Sequence, residues 1–278
     1  MSEPVRDSAE VRERIATVPH WYHTIDVAPA VSTPGWYDLR HVVDLLPWPD
    51  VRGKRCLDIG TFDGFFAFEL ERRGAAEVVA IEMPDHEQWD WPPDTRPGGP
   101  NADAVAEYAK LKVGSGFKVL ADLFGSRAQW RALNVYDVSP AELGTFDIVT
   151  CGSLLLHLRD PVRALEAIRS VCRGHLLSSE SIELWLSIFG RGRPLFRLSG
   201  TGHACQWWLP NAAGHRRLLW SAGFAVEQAS KPYLVRYHLQ PSPPPSLRTR
   251  RDALARWLLT GDRSPGMLHR ALLARPRL

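Results

Sequence analysis

Residues 55–82 read RCLDIGTFDGFFAFELERRGAAEVVAIE, and this stretch predicts the fold of the chain. Residues 56–59 form a short apolar run, a turn flanked by glycines follows, and residues 65–73 have the pattern of a helix. Gly74 fits the end of that helix, and the β-branched run 77–81 is typical of a strand buried on both faces. The stretch therefore predicts a βαβ unit of the nucleotide-binding kind in an α/β fold.

The glycine pattern of the turn between strand and helix distinguishes two classes of nucleotide ligand. A dinucleotide site has the pattern G-x-G-x-x-G, whose second glycine lets the backbone approach a pyrophosphate. Here the turn reads Gly60-Thr61-Phe62-Asp63-Gly64, so that glycine is absent and a carboxylate stands in the loop. A carboxylate opposes a phosphate and suits a cationic or amine-bearing ligand. Glu82, at the end of the second strand, is placed to hold the hydroxyl groups of a ribose.

Composition narrows the class of protein. A chain of 278 residues can form one large α/β domain with extensions. A formal net charge of +3 is too small to argue for nucleic acid, although arginines concentrate after residue 247. The N-terminus lacks the apolar stretch of a signal peptide, and no run is long enough to span a membrane. We therefore expect a cytoplasmic protein without a membrane partner.

Metal and disulfide sites are not expected. The four cysteines have no C-x-x-C spacing and fit buried free thiols. No cluster of His, Cys and carboxylates has the spacing of metal ligands, so no resident metal is predicted, while a magnesium ion held by the substrate stays open.

The chain divides into three predicted parts: an N-terminal arm (1–50), a nucleotide-binding domain (51–240) and a tail (241–278). The arm contains aromatic segments without core periodicity, which we expect to cover the site. Within the domain, residues 181–210 lose regularity and are interpreted as an insertion that caps the site.

The tail begins with a Pro-rich linker, QPSPPPS at 240–246, which is interpreted as the end of the fold. A basic amphipathic helix at 250–260 and another short helical patch are expected to follow. The helix either docks on its own domain or packs against a second copy of the chain, so a homo-oligomer is one expectation.

Six phrases together resemble one family: HWYHTI (20–25), TPGWYDLR (33–40), LDIGTFDGFFAFELERRGA (57–75), FDIVTCGSLLLHLRDPVRALEAIR (146–169), LLSSE (176–180) and WWLPN (207–211). They look like a branch of the class I S-adenosylmethionine (SAM) methyltransferases related to the tRNA wobble-uridine enzymes of the 5-methoxyuridine and 5-oxyacetic acid pathway. The resemblance implies a Rossmann-like fold with a mostly parallel seven-stranded sheet and helices on both faces. It also implies SAM as cofactor and S-adenosylhomocysteine as product.

The resemblance implies a set of cofactor-binding residues at the strand ends: Asp58, Gly60, Thr61, Asp63, Gly64, Glu82, Asp137 and Gly152. Asp58 and Gly60 would lie near the methionine part, Glu82 on the ribose hydroxyls and Asp137 near the adenine amino group. A turn role is the alternative for Asp137, because Ser and Pro follow it.

One departure from the family bears on the cofactor. The turn after the fourth strand commonly reads G-V-L-Y-H, whereas residues 152–157 read GSLLLH and put Leu156 at the tyrosine position. Carboxymethyl-transferring relatives resemble each other in using that tyrosine and an upstream lysine, whose position falls near Arg40 or His41. We therefore expect transfer of methyl from ordinary SAM.

Methyl transfer from a sulfonium needs alignment, a cation-tolerant wall and, for a hydroxyl acceptor, a base. Segments expected to cover the site supply the predicted substrate-binding residues: Trp21, Tyr22, His23, Trp36, Arg40, Trp207 and Trp208. His157 and Glu180 follow buried strands and are the two candidate bases. A structural role is the alternative for each.

The sequence thus predicts a methyltransferase that acts on a small molecule, of the specialised-metabolite kind, enclosed by the Trp-rich segments. The alternative is a tRNA wobble-uridine methyltransferase acting on the uridine 5-oxygen, with the arginines of the tail on phosphates. A lesser alternative is C-methylation of an isoprenoid or aromatic substrate. The acceptor atom does not follow from the sequence.

Overall fold

The computed structural model of the protein describes residues 8–96, 98–199, 205–239 and 246–277. Its strands are β1 (Trp21–Thr24), β2 (Asp26–Ala28), β3 (Val31–Ser32), β4 (Gly35–Asp38), β5 (Arg55–Ile59), β6 (Glu77–Glu82), β7 (Gln129–Ala132), β8 (Phe146–Gly152), β9 (Cys172–Ser181), β10 (Phe196–Leu198), β11 (Trp208–Pro210), β12 (Phe224–Ala229), β13 (Tyr233–Tyr237) and β14 (Gly266–Pro276). Its α-helices are α1 (Ser8–Ala16), α2 (Phe65–Arg72), α3 (Asp103–Ala109), α4 (Ser115–Phe124), α5 (Pro140–Leu143), α6 (Pro161–Val171), α7 (Leu184–Phe189), α8 (Ala212–Ser221) and α9 (Leu247–Thr260). Short 3-10 helices span Arg40–Leu45, His86–Gln88, Pro93–Thr95, Val135–Asp137 and Leu155–His157.

The central sheet has ten strands in the described part of the chain, in the order β1-β4-β13-β14-β9-β8-β5-β6-β7, with β12 also paired to β14. Strands β9, β8, β5, β6 and β7 run parallel, and β14 is antiparallel to β9. This confirms the predicted mostly parallel Rossmann-like sheet. The sheet has more than seven strands because the N-terminal arm adds β1 and β4, and because two strands, β12 and β13, pair with successive parts of β14.

Helices cover both faces of the sheet, as predicted. On one face α2 and α4 bury Leu70 and Phe117 in the same core cluster. On the other face α6 and α8 bury Ile168 and Leu219 in a second cluster. The parallel strands between these layers have near-continuous apolar sequences because both of their faces are buried. Among the helices described, none is long and apolar enough to cross a membrane.

The predicted end of the fold at the Pro-rich linker is wrong. Strand β14 lies inside the sheet, antiparallel to β9 over residues 269–274. Its apolar side chains are buried on both faces, so its sequence lacks the alternation that marks a half-exposed strand and instead suggests the short helical patch predicted there. The linker itself, apart from Ser246, lies outside the described residues. The predicted helix beyond it is present as α9, which begins at the N-cap Ser246.

The predicted cap contains α7 and a hairpin in which β10 pairs antiparallel with β11. Strand β11 is followed directly by α8, which begins at Ala212. Asn211 is the N-cap of α8, and its side chain accepts a hydrogen bond from Gly214 N at 2.7 Å.

Candidate active site

A cavity lies at the carboxyl ends of the parallel strands, where open α/β sheets bind ligands. Its floor comes from the turns after β5, β6, β7 and β8, and its cover comes from the arm, the loop after β6 and the cap. The residues that line it include Tyr22, His23, Tyr37, Gly60, Thr61, Phe62, Glu82, Met83, Trp89, Asp90, Tyr108, Asn134, Tyr136, Gly152, Ser153, His157, Ser179 and Cys205.

The turn from β5 to α2 is built by its two predicted glycines. Gly60 has a φ of +73° and Gly64 a φ of +92°, a backbone conformation that side chains with a Cβ rarely adopt. Gly60 and Thr61 both line the cavity, and their amides donate to the Ile81 carbonyl at 3.0 and 3.2 Å. Gly64 lies behind the cavity as the N-cap of α2, where an added Cβ would lie 2.4 Å from the ring of Phe68.

Glu82 faces the cavity from the end of β6, where the sequence predicts a ribose-binding carboxylate. Its Oε2 accepts from Phe62 N at 3.0 Å, and its Oε1 accepts from Met83 N at 2.9 Å. Burial raises the pKa of this carboxyl to about 7. Each oxygen has a second lone pair, so the fixed carboxylate can accept two further hydrogen bonds from a ligand diol.

Two other predicted cofactor carboxylates, Asp58 and Asp63, lie behind the cavity wall. Asp58 accepts from the Thr150 hydroxyl at 2.7 Å. Asp63 accepts from the amides of Tyr22 and His23 at 2.7 and 2.9 Å. Burial raises the pKa of both carboxyls to about 6. Asp63 therefore ties the arm to the β5–α2 turn and does not point at a ligand amine.

Asp137 is exposed and lies outside the cavity lining, contrary to the predicted adenine contact. Strand β7 ends at Ala132, five residues before Asp137, so an earlier part of the turn reaches the cavity. Asn134 and Tyr136 line the cavity there, and the Tyr136 hydroxyl donates to Asp90 Oδ2 at 2.6 Å.

His157 lines the cavity from the 3-10 turn after β8. Its Nδ1 lies 2.7 Å from the carbonyl oxygen of Cys205 in the cap. Since a carbonyl only accepts, Nδ1 carries the proton in this contact. The contact fixes the orientation of the imidazole ring at the cavity.

Glu180, the other candidate base, is 2% exposed and is absent from the described lining of the cavity. Its Oε1 accepts from the amides of Leu154 and Leu155, each at 3.3 Å. Burial raises the pKa of its carboxyl to about 8. Glu180 therefore anchors the turn that carries His157, and we assign it a positioning role in place of the predicted base.

We expect Glu180→Gln to keep turnover within about threefold of the wild-type value and Glu180→Ala to lower it further, because glutamine keeps the oxygen that accepts from the turn amides.

The raised pKa of Glu180 also makes the stability of the fold depend on pH. Its contribution to the free energy of unfolding is complete below the unfolded-state pKa of about 4.3 and is lost as pH rises through about 8. The free energy of unfolding should therefore fall less steeply between these pH values in Glu180→Gln than in wild type. Urea unfolding at pH 5, 7 and 8.5 measures this, and a turnover loss above tenfold in Glu180→Gln would restore the base assignment.

Residues 35–229, most of the cavity and its sheet, match the family model of the methyltransferase domain. The chain belongs to this methyltransferase family. The domain is of the SAM-dependent type, with SAM as its cofactor.

Relatives of this methyltransferase domain are similar over part of their length. The ubiquinone biosynthesis O-methyltransferase of Neisseria meningitidis serogroup C (strain 053442) is 30% identical over 124 residues, which are 45% of this chain and 42% of that protein. The protein of the same name from Hahella chejuensis (strain KCTC 2396) is 29% identical over 122 residues, 44% of this chain and 40% of that protein. The chain thus matches less than half the length of these curated relatives.

Solved structures share the fold. The N-terminal domain of EvdMO1 with S-adenosylhomocysteine bound has a TM-score of 0.56 and 14% sequence identity, with 100% of each chain covered. These matches establish the methyltransferase family, and the tRNA wobble-uridine branch stays a prediction.

The wall of the methyltransferase cavity on the arm side contains several aromatic side chains. Tyr22 and His23, two of the predicted substrate-binding residues, lie in it together with Tyr37 and Tyr108. The Tyr22 ring stacks on Phe62 with centroids 4.4 Å apart. Burial lowers the pKa of His23 to about 3, so its ring is neutral and does not repel a cationic ligand.

The other predicted substrate residues do not reach the cavity. Trp21 is 1% exposed in the core, and Arg40 is paired with Asp26 and Asp38 on the surface at 2.6 and 2.7 Å. Trp36 packs against the edge of Tyr108. The two cap tryptophans, Trp207 and Trp208, donate their indole N–H groups to the backbone carbonyls of Asp90 and Arg159. These two contacts tie the cap to the loops that carry Asp90 and Arg159.

Ser153 is a cavity residue that the sequence reasoning missed. Its φ of +52° is unusual for a residue with a Cβ, and its Oγ lies 2.9 Å from Nε2 of the buried His269. Nδ1 of His269 lies 3.1 Å from the Met267 carbonyl and must donate to it, so Nε2 accepts the Ser153 proton. Ser153 Oγ therefore presents lone pairs, not its proton, to the cavity. A strained backbone at a strand end is the structural signal for such a residue, and it is invisible in the sequence.

In the described residues, no group of three or more His, Cys, Asp and Glu side chains is placed to hold a metal ion.

Proposed function

We propose that the chain transfers a methyl group from SAM to a hydroxyl group of a small molecule. The observation that carries the proposal is the oriented imidazole of His157, which faces the same cavity as the ribose-type carboxylate of Glu82. The similarity to proteins named ubiquinone biosynthesis O-methyltransferases supports an oxygen acceptor.

The residues present fit SAM at the cofactor end of the cavity. The carboxylate of Glu82 suits the ribose diol, and the positive-φ backbone at Gly60 leaves the turn without a side chain beside the ligand. The buried, neutral His23 and the aromatic rings of Tyr22 and Phe62 tolerate a cation. Bound SAM would supply the electrophilic methyl group.

The chain's own residues would then orient the acceptor and take its proton. Nε2 of His157 would accept the hydroxyl proton as oxygen attacks, while the Cys205 carbonyl holds the imidazolium in place through Nδ1. Ser153 Oγ would accept a hydrogen bond from a donor on the acceptor molecule. The aromatic wall would exclude water and align the two reactants, which in the best intramolecular models supplies roughly 7–11 kcal/mol.

We infer that the transferred group is methyl and not carboxymethyl. Leu156 is buried and carries no hydroxyl, while Arg40 is engaged by two aspartates. His41 must donate its Nε2 proton to the Leu234 carbonyl at 2.9 Å. None of these side chains is among the described residues that line the cavity, so a carboxylate on the cofactor would lack these partners.

A tRNA wobble uridine is the second candidate acceptor, favoured by the phrases shared with that branch and by the arginines near the C-terminus. Small-molecule specificity is favoured by the enclosure of the cavity by aromatic side chains from the arm and by the cap residue Cys205.

The two candidates are separated by measuring S-adenosylhomocysteine formation with a panel of phenols and catechols, with the methyl ethers of the same compounds, and with total tRNA at two salt concentrations. We expect turnover with hydroxylated acceptors, none with compounds whose hydroxyls are all methylated, and none with tRNA. Methyl incorporation into tRNA alone would contradict the proposal.

A further inference from the structure

A second groove lies on the α8 face of the sheet, away from the SAM cavity. The residues that line it come from the cap, helix α8, the turn between β12 and β13, the end of α9 and strand β14. They include four arginines: Arg191, Arg216, Arg217 and Arg270. Apolar side chains complete the lining: Ile182, Pro194, Trp220, Pro232, Leu259 and Leu268. No residue belongs to both linings.

The charge of this groove is unbalanced. Neither Asp nor Glu occurs among the described residues that line it. None of its four arginines forms an ion pair with a carboxylate of the described chain, whereas arginines nearby do, such as Arg236 with Asp262 at 2.9 Å and Arg275 with Glu227 at 2.9 Å. The groove therefore collects positive charge that the described residues do not neutralise.

The lack of a carboxylate partner is least favourable for Arg270. It is half-buried on β14, and its Nε donates to the Ser230 carbonyl at 3.1 Å. Its cross-strand neighbour is Glu180, whose carboxyl is turned to the amides of Leu154 and Leu155. Burial, with the charge of Arg216 added, lowers the pKa of Arg270. A partly buried guanidinium beside a second cation is unfavourable unless an anion joins it.

The start of α8 adds to the positive potential of the groove. Ala212 and Ala213, the first residues of this ten-residue helix, line the groove, and Arg216 and Arg217 follow on its next turn. The helix N-terminus favours an anion, although by itself it would not define a site.

We propose that this groove binds the phosphate or diphosphate group of a small organic molecule. Guanidinium groups bind phosphate oxygens through paired N–H donors, and several arginines on one groove suit a multiply charged head group. The apolar part of the lining includes the exposed Pro194 and the half-buried Leu259, which give the organic body of the ligand a surface to cover. The four arginines converge on one groove from three chain segments, which suits one head group better than the phosphates of a nucleic-acid strand.

The test is calorimetric titration of pyrophosphate and of inorganic phosphate into the full chain saturated with S-adenosylhomocysteine, at constant ionic strength. Wild type should bind pyrophosphate, and both Arg216→Ala/Arg270→Ala and the surface variant Arg216→Ala/Arg217→Ala should lose at least about tenfold in affinity. The control Arg12→Ala/Arg127→Ala removes the same charge from exposed positions elsewhere and should stay within about twofold of wild type. S-adenosylhomocysteine affinity should be unchanged in all three variants, which shows that they fold.

Absence of pyrophosphate binding by wild type, or an equal loss in the control variant, would overturn the proposal. Salt-sensitive binding of total tRNA that is lost in Arg216→Ala/Arg217→Ala, without pyrophosphate binding, would overturn it in favour of a nucleic-acid surface. Failure of methyl transfer has no bearing on this test because the readout is binding of a phosphate probe.

Discussion

Replacing His157 by alanine is expected to lower the turnover of methyl transfer by a factor of about 10²–10⁴, the usual worth of a general base, while SAM affinity changes by less than about threefold. The reason is that His157 lines the cavity from the turn after β8, with Nδ1 committed to the Cys205 carbonyl and Nε2 as the proposed base. Single-turnover kinetics with a hydroxylated acceptor, together with calorimetry for SAM, measure the two quantities separately.

His157→Asn separates proton transfer from cap anchoring, because an asparagine amide can still donate to the Cys205 carbonyl but cannot take a proton. Both variants should lose turnover to a similar extent. The matched control is His175→Ala, since His175 is a half-exposed histidine paired with Glu227 at 3.2 Å, away from the cavity. If His157→Asn restored wild-type turnover, His157 would be a structural contact and not the base.

The βαβ unit beside the cavity was predictable because it is local in sequence. A strand, a turn with two glycines, a helix and a second strand occur within residues 55–82, and each follows from short-range rules of periodicity and backbone conformation. Glu82 faces the cavity because it ends a parallel strand, and parallel strands end at one edge of the sheet.

Side-chain direction was not predictable from position alone. Asp63 lies in the predicted loop, yet its carboxylate takes the amides of Tyr22 and His23, about forty residues earlier in the chain. Glu180 ends a strand as predicted, but alternation along β9 puts Ser179 on the cavity and Glu180 under the neighbouring turn. Neighbouring residues on a strand point to opposite faces of the sheet. The rule that ligands bind at the carboxyl ends of parallel strands does not say which face a given side chain takes.

Long-range pairing explains the remaining errors. Strand β14 is recognisable only from its partner β9, which ends 85 residues before β14 begins, since its own sequence lacks a strand's alternation. Aromatic residues of the arm do line the cavity, but they are the tyrosines Tyr22 and Tyr37 and not the tryptophans Trp21 and Trp36. The two cap tryptophans are held by carbonyls of distant loops, which no local pattern reveals.

Glu82→Ala is expected to lower SAM affinity by about 100-fold or more, because two hydrogen bonds from ribose hydroxyls to a charged acceptor are worth about 1.5–3 kcal/mol each. Glu77→Ala is the matched control: Glu77 begins the same strand and pairs with Arg55 at 2.8 Å at the opposite edge of the sheet. Its SAM affinity should remain within about twofold of wild type. Calorimetric titration of both variants would falsify the assignment if they lost affinity equally.

The pH dependence of SAM binding tests the same carboxyl without removing its shape. Burial raises the pKa of Glu82 to about 7 in the free protein, and a ribose diol donates to the ionised form, so binding and proton release are coupled. SAM affinity should therefore rise with pH up to about 7 and level off above it, with a decrease of up to about tenfold per unit on the acidic side. In Glu82→Gln this dependence should disappear, because the amide does not titrate and accepts through only one oxygen. Equal slopes in wild type and Glu82→Gln would mean that another group, such as Asp58 or Asp63 with a pKa near 6, controls the titration.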